Sequence, residues 1–422
     1  MSANEQRPDD QPALSDGGNS GGRFPADVVV PGLSRRTFLG SSLGAMAVAS
    51  LPWVGASIPT LWYWALRGKP GPGVTYGIGA VAVVDRNVSA ASRPFVFVRA
   101  DDSHLWILWK TPAGNWEWVD QGGKVDRPVG VIALDDNPNG HRPYAFVVQD
   151  RHLWVRWWNG LDWFWSDQGQ PAGVDIFNGL GAVTLALKPT LDLAPFAVVT
   201  GSDGNGWVNW WNGSSWLWYN LGSPGVAIGS SMGVLAVPDE RTGEQTLQVY
   251  VWGGDGQLWL GITDMVSTRW TALGHPRYPA VISQPAGAAI IKSGPGQLSR
   301  PCSFVLSAST GDLWACQDDT WFELGAPPSD HYANIALGAI SVPDPNNASQ
   351  YARVFVTDGN NSVWVCRWDG AKPVWEDHGN STGHIIDAGI GITNTHTSPA
   401  AAPMTHAFMR TSDGLVCENW EQ

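Results

Sequence analysis

Basic side chains are scarce in this chain. Its 422 residues carry 25 Lys and Arg against 38 Asp and Glu, a net charge of −13 at pH 7. A nucleic-acid groove needs a basic surface, so the balance excludes nucleic acid as a partner. Cysteine is scarce too: Cys302, Cys316, Cys366 and Cys417 show no CxxC and no metal-ligand spacing. They are expected as small buried hydrophobes in strands. Cys302 and Cys316 fall diagonally on neighbouring strands of one hairpin, which permits a disulfide without favouring it. G-x-S-x-G, P-loop and sialidase-type Asp-box motifs are missing, and with them the familiar signatures of those enzymes. His104 and His152 share a register, but two His make no metal site without further ligands. No catalytic residue, cofactor or metal is expected.

Glycine and tryptophan are what the chain has in excess, 50 and 26 residues respectively. Seven times a Trp is followed four residues later by a Gly: Trp64/Gly68, Trp118/Gly122, Trp165/Gly169, Trp218/Gly222, Trp270/Gly274, Trp321/Gly325 and Trp375/Gly379. Copies lie 47 to 54 residues apart, a period that marks one repeated supersecondary unit. Each unit reads as four strands. The first carries a Gly among small apolar residues: Gly79, Gly130, Gly181, Gly233, Gly287, Gly338 and Gly389. Glycine there lets inner strands crowd around an axis. A β-rich second strand and an Asp or Gly turn follow. The third strand opens at Trp106, Trp154, Trp207, Trp259, Trp314, Trp364 and, in the seventh place, Cys417. The fourth ends in the Trp…Gly element.

The last repeat stops after its third strand. Its missing fourth strand is found near the other end, where Trp62 to Pro70 reads W-x-W-x-x-x-G-x-P, as do Trp163 to Pro171 and Trp216 to Pro224. The expected fold is therefore all-β: a seven-bladed β-propeller of four-stranded antiparallel blades over 59–422, its last blade closed by the N-terminal strand. Closure leaves only short, protected edges. Seven separate domains are excluded, since about fifty residues bury too small a core.

Residues 1–33 are polar and rich in Gly, Pro, Asp and Ser, a disordered composition. Ser34-Arg35-Arg36-Thr37-Phe38-Leu39-Gly40 then resembles a twin-arginine export signal. A short apolar run follows, and Ala47-Val48-Ala49 is an A-x-A cleavage site. Residues 1–49 are expected as the signal and 50–58 as a linker. The export machinery is then a partner, and the location is secreted, periplasmic or cell-surface. An uncleaved anchor is the alternative, but Pro52 and Pro59 interrupt the run, and the strand at Trp62 belongs to the propeller. No stable membrane span is expected after cleavage.

Leu153-Trp154-Val155-Arg156-Trp157-Trp158-Asn159-Gly160 followed by Trp163-x-Trp165 resembles the repeat of PLL-like seven-bladed bacterial lectins of the fucose-binding type. So does Gly206-Trp207-Val208-Asn209-Trp210-Trp211-Asn212-Gly213 followed by Trp216-x-Trp218. The resemblance spans residues 60–422 and is strongest in blades 2 and 3. Tectonin-type propellers share the Gly-x-Leu-Trp element. The resemblance implies glycan binding, with fucose-containing glycans among the ligands, at several sites and without catalysis.

The repeat positions account for thirteen of the 26 Trp. In blades 7, 1, 2 and 3 the third strand adds Trp420, Trp109, Trp157 and Trp210, and the fourth adds Trp62, Trp116, Trp163 and Trp216. Blades 4 to 6 lack both partners, carrying Ile262/Thr268, Gln317/Asp319 and Arg367/Pro373 instead. Counting along the hairpins places each pair nearly opposite across one blade. One reading is aromatic packing between blades, about 0.5–1.5 kcal/mol per pair beyond area. The other is a platform for the apolar face of a sugar, with Arg156, Asn209, Asp120 and Asp167 as nearby polar groups. The all-or-none pattern favours sites on blades 7, 1, 2 and 3. Trp158, Trp211 and Trp368 sit beside hairpin turns, where exposure is expected. Asp85, Asp136, Asp239 and Asp344 lie six residues after an inner Gly and should ring one channel mouth. They read as turn starters rather than catalytic carboxylates. The leading expectation is a non-enzymatic carbohydrate-binding propeller. A scaffold for protein partners comes second, and a glycosidase using the Asp ring a distant third.

Overall fold

The computed structural model describes residues 30–31 and 61–421, apart from short breaks at 138, 187–192, 240–241, 243, 277–281, 308, 329–331, 345–346 and 381. The export signal, its cleavage site and the 50–58 linker lie outside the described residues.

Seven antiparallel sheets form the blades. Blade 1 runs from its inner strand Val74–Val84 through Ser92–Ala100 and Leu105–Lys110 to its outer strand Trp116–Asp120. Blade 2 is Arg127–Asn137, Gly140–Gln149, His152–Trp158 and Trp163–Gly169, and blade 3 is Ile176–Leu185, Ala194–Gly201, Gly206–Trp211 and Trp216–Gly222. Blades 4, 5 and 6 begin at Ile228, Ile282 and Ala333. Blade 7 is Ile386–Thr395, Met404–Thr411 and Val416–Glu421, completed by Trp62–Gly68. That closing strand pairs Trp62 with Glu421, Trp64 with Asn419 and Leu66 with Cys417. The closure anticipated from the W-x-W-x-x-x-G-x-P pattern is thus the observed one. A two-residue strand, Val30–Pro31, lies on its outer edge opposite Trp64 and Tyr63, within a segment whose composition predicts disorder. No helix among the described residues is long and apolar enough to cross a membrane.

Inner strands touch all round the axis. A Cβ at Gly79 would meet Val131 Cγ2 at 2.5 Å, and one at Gly391 would meet the Ala80 nitrogen at 2.4 Å. Each inner strand bulges at this point, opposite an aromatic or Val on the second strand. In blade 7 the bulge pairs Gly391 with Phe408, so the seventh inner glycine is Gly391 and not Gly389. Two glycines stand two residues apart in Gly389-Ile390-Gly391, and spacing alone does not choose between them.

The core is a series of wedges between blades. Phe95, Phe97 and Ile107 of blade 1 pack with Ala145, Val147 and Trp165 of blade 2. Val96, Val98 and Leu108 face the other way, toward Phe408 of blade 7. Second strands are therefore buried on both faces and read as continuous apolar runs.

The Trp…Gly element links neighbours rather than closing on itself. Each of the seven Trp donates its indole N–H to the backbone carbonyl immediately before the repeat Gly of the preceding blade. Trp165 bonds Gln121 O at 2.8 Å, Trp270 bonds Leu221 O at 2.8 Å, and Trp64 closes the cycle on His378 O at 2.8 Å. Each repeat Gly has φ between 61° and 74°, which turns the chain out of the outer strand.

All four cysteines are buried free thiols. Cys302 pairs with Gln317 and Cys316 with Ser303, so the two stand diagonally, as counted from sequence. Burial pushes the Cys316, Cys366 and Cys417 thiols up to about 12.

Candidate functional site

Strand register overturns the expected Trp pairs. In blade 2, Trp163 stands opposite Trp158, while Trp157 stands opposite Phe164. In blade 3, Trp216 stands opposite Trp211 and Trp210 opposite Leu217. Successive side chains leave a strand on opposite faces, so Trp157 and Trp163 point to different blade boundaries. The observed register differs by one residue from the expected pairing, and one residue of slip exchanges the faces.

The extra Trp meet across boundaries instead. Each outer-strand Trp reaches back to the preceding blade and presents an edge to its second-strand Phe. Trp163 meets Phe97 at 6.2 Å, Trp216 meets Phe146 at 6.0 Å, Trp116 meets Phe408 at 5.9 Å and Trp62 meets Phe355 at 6.1 Å. Each third-strand Trp faces the following blade. Trp109 with Trp163 therefore shares boundary 1/2, and Trp157 with Trp216 shares boundary 2/3. Trp420 with Trp116 shares boundary 7/1, where Arg67 lies over both rings. Four decorated blades make three complete boundaries. Trp62 and Trp210 are left at the two ends, the first among blade 6 residues and the second in the blade 3/4 core.

The boundaries are filled differently. At 7/1 the Arg67 guanidinium sits 4.5 Å from the Trp116 ring and 5.2 Å from the Trp420 ring. It pairs at 2.6 Å with Glu418, which His406 also meets at 2.6 Å. The side chains of Arg67 and Glu418 are 7% and 1% exposed, so the protein's own ion pair fills this gap. At 6/7, Arg353 covers the Trp62 ring at 5.2 Å and pairs with Glu421, while His378 lies 4.0 Å from Trp62. At 2/3, Trp157 stacks on Tyr144 at 5.9 Å, and Arg142 lies 6.0 Å from its ring.

Boundary 1/2 holds an open cleft of about 350 Å³. Small-molecule pockets begin at about this size. Phe95, Ile107 and Trp109 line it from blade 1, and Trp158 and Trp163 from blade 2. Trp158 and Trp163 are tilted at 5.6 Å, and Trp109 lies 5.4 Å from Phe95. Polar lining comes from Asp85, Asn87, Arg93, Gln121, Asn139, His141 and Arg142. Arg93 lies 5.7 Å from the Trp109 ring, 3.7 Å from Asp85 and 3.4 Å from the Lys110 carbonyl. Burial lowers its pKa and Asp85 opposes the shift. Behind Trp163, half-buried Arg156 donates to Gln121 Oε1 at 3.1 Å and lies 5.9 Å from the Trp163 ring. Burial lowers Arg156 to about 10, so it remains a cation at neutral pH.

The other polar candidates go elsewhere. Asp120 and Asp167 accept from the backbone N–H of Gly122 and Gly169 at 2.7 Å and face His104 and His152 at 3.0 Å. They serve the turn after the outer strand. Asn209 is fully buried, its Nδ2 reaching Leu217 O at 3.4 Å and its Oδ1 without a partner. Of the turn-flanking Trp, Trp158 and Trp211 are half-buried against Trp163 and Trp216. Trp368 is 2% exposed against Phe322, contrary to the exposure expected beside a turn. Asp85, Asp239 and Asp344 begin turns; Asp85 accepts from Asn87 N–H at 3.1 Å, and Asp239 from Thr242 N–H at 3.3 Å. The side chain of Asp136 is not among those described. Asp102, His104 and Asp120 are the one described trio close enough to share a metal ion, at the exposed end of blade 1.

Sequence reasoning passed over Arg93 and Gln121. A signal existed: Arg93-Pro94-Phe95 recurs as Arg142-Pro143-Tyr144, and in both blades the arginine lies over the third-strand Trp.

No family profile and no curated protein matches the chain. Solved structures do match it. A fungal lectin from Aleuria aurantia, described as a six-bladed β-propeller with a novel fucose recognition mode, is 14% identical. The match covers 82% of this chain and 92% of that one, with a TM-score of 0.43. AofleA from Arthrobotrys oligospora is 14% identical over 77% of this chain and 90% of that one, TM-score 0.47. SapL1 lectin, in complex with alpha methyl fucoside, is 15% identical over 73% and 97%, TM-score 0.43. Likeness at this level carries no argument.

Proposed function

We propose that this protein is a non-enzymatic carbohydrate-binding propeller whose principal site is the cleft between blades 1 and 2. One observation carries the reading. Of three boundaries with a complete Trp pair, 7/1 is filled by an internal ion pair, whereas 1/2 leaves its Trp beside an open, mostly apolar cleft rimmed by polar side chains. Such a cleft suits a pyranose. The flat indole faces of Trp109, Trp158 and Trp163 accept its C–H face, and Arg93, Asn87, Gln121 and Asn139 supply donors and acceptors for hydroxyls. Fucose enters from the repeat's resemblance to PLL-like lectins and is the first neutral sugar to test. Export through the twin-arginine route belongs to the same proposal, since the folded ring needs both chain ends joined before it is closed.

A glycan array probed with the purified full chain tests the reading, with Trp emission followed during titration. Binding is expected, with an emission change lost in Trp163→Ala. No response to any sugar at millimolar concentration would overturn it. N-terminal sequencing of exported protein is expected to begin at Ser50; export that survives Arg35→Lys together with Arg36→Lys would refute the twin-arginine route.

A further inference from the structure

The repeat supplies its own controls for charge. At boundaries 7/1 and 6/7, a buried arginine lies against a Trp face and is neutralised by a glutamate, Arg67 by Glu418 and Arg353 by Glu421. Boundary 1/2 has two arginines beside Trp rings, Arg93 and Arg156, and among the described residues no glutamate pairs with either. Arg156 has the neutral amide of Gln121 as its hydrogen-bond partner. Arg93, with its side chain 12% exposed, makes a long ion pair of 3.7 Å with Asp85 Oδ2, while Asp85 Oδ1 accepts from Asn87 N–H. Around the same rim, His141 lies 3.7 Å from Asp135, which Arg86 already holds at 2.8 and 2.9 Å. Arg93 and Arg142 thus line the cleft against one lining carboxylate, Asp85, and Arg156 lies behind Trp163, so arginines outnumber carboxylates among the described lining. Desolvated charge without a close counter-ion is costly, and a ligand anion removes that cost.

We propose that the 1/2 cleft selects a sugar bearing an anionic substituent, a uronate carboxylate or a sulfate, with Arg93 as the residue that reads it. The inference rests on the carbohydrate reading above and deepens it. The sugar ring lies against Trp109 and Trp163 while its anion approaches the guanidinium beside Trp109. A planar guanidinium matches carboxylate and sulfate oxygens with paired N–H donors, which a neutral hydroxyl cannot engage as strongly. Arg156 adds long-range attraction from beneath Trp163.

The test is titration calorimetry on the full chain with four probes: methyl glucuronoside, methyl glucoside, a sulfated methyl glucoside and methyl fucoside. Charge-assisted hydrogen bonds exceed neutral ones enough to predict binding of a charged sugar on the order of tenfold tighter than methyl glucoside. The tighter of the two charged probes identifies the anion. The advantage should shrink as salt rises, because the rim is partly solvated. Arg93→Gln should bring the charged-to-neutral ratio close to one. Neutral sugars binding as tightly as charged ones would overturn the anion reading and leave the carbohydrate reading standing. Absence of binding by all four, together with a silent glycan array, would overturn both. Should Arg93→Gln fail to fold, the salt series on the unaltered chain decides alone: a ratio unmoved by salt refutes the proposal.

Discussion

Trp163 and Trp165 leave the same strand on the same face, two residues apart, yet they should respond differently to truncation. Trp165 is a frame residue, bonded to Gln121 O at 2.8 Å and packed in the blade 1/2 core. Replacing it with Ala costs about 3–5 kcal/mol for the lost ring. The orphaned Gln121 carbonyl adds about 1–3 kcal/mol. Against a total stability of about 5–15 kcal/mol, that loss reaches the scale of the whole. Trp163 lines the cleft, packs against the same core and meets Phe97, Trp158 and the Arg156 guanidinium. Trp163→Ala should cost at most about 3–5 kcal/mol for its partly buried ring, without the orphaned carbonyl, and leave a folded ring. Its loss should fall on binding: a central aromatic anchor contributes about 2 kcal/mol or more, which is roughly a 30-fold loss of sugar affinity. Urea unfolding of both variants gives the stabilities, and calorimetry with the tightest sugar gives the affinity. Should Trp163→Ala destabilise as much as Trp165→Ala while its folded fraction binds sugar normally, Trp163 is packing and the site assignment fails.

Three other outcomes follow from the same geometry. Trp64→Ala breaks the link to His378 O across the closing strand, so the variant should expose a strand edge and self-associate, visible by light scattering; a monomer of unchanged stability would count against closure by Trp62–Gly68. Burial works to raise the buried Glu418 carboxyl, but Arg67 and His406 overcome it and hold it below the usual glutamate value. Its contribution is therefore complete above about pH 4.5 and lost as pH falls below that; Glu418→Gln should cost about 3–5 kcal/mol at neutral pH and flatten the acid side of the stability profile, and an unchanged profile would refute the assignment. The four buried thiols should resist a thiol reagent at pH 8 and all react in denaturant, since burial pushes them to about 12 or above; prompt labelling of the folded chain would contradict their placement.

Periodicity alone implies the architecture. Seven Trp…Gly copies, seven inner glycines and a fourth strand displaced to Trp62 imply seven blades and their closure, because repeat positions carry the same packing duty each time. The decorated half, blades 7, 1, 2 and 3, was equally legible as composition. What each extra Trp faces was not. That depends on hairpin register, where a one-residue difference sends Trp157 and Trp163 to opposite boundaries, and no local pattern sets it. Nor does the sequence separate Gly389 from Gly391, since the bulge opposite Phe408 decides. Which boundary stays open was least legible of all. Arg67 seals 7/1 because Glu418, 351 positions away in sequence, comes within 2.6 Å of it through ring closure. Among the described residues, Arg93 and Arg156 meet no such glutamate. Local chemistry, repeated, determined the frame; contacts between distant blades decided where the frame is filled and where it stays open for a ligand.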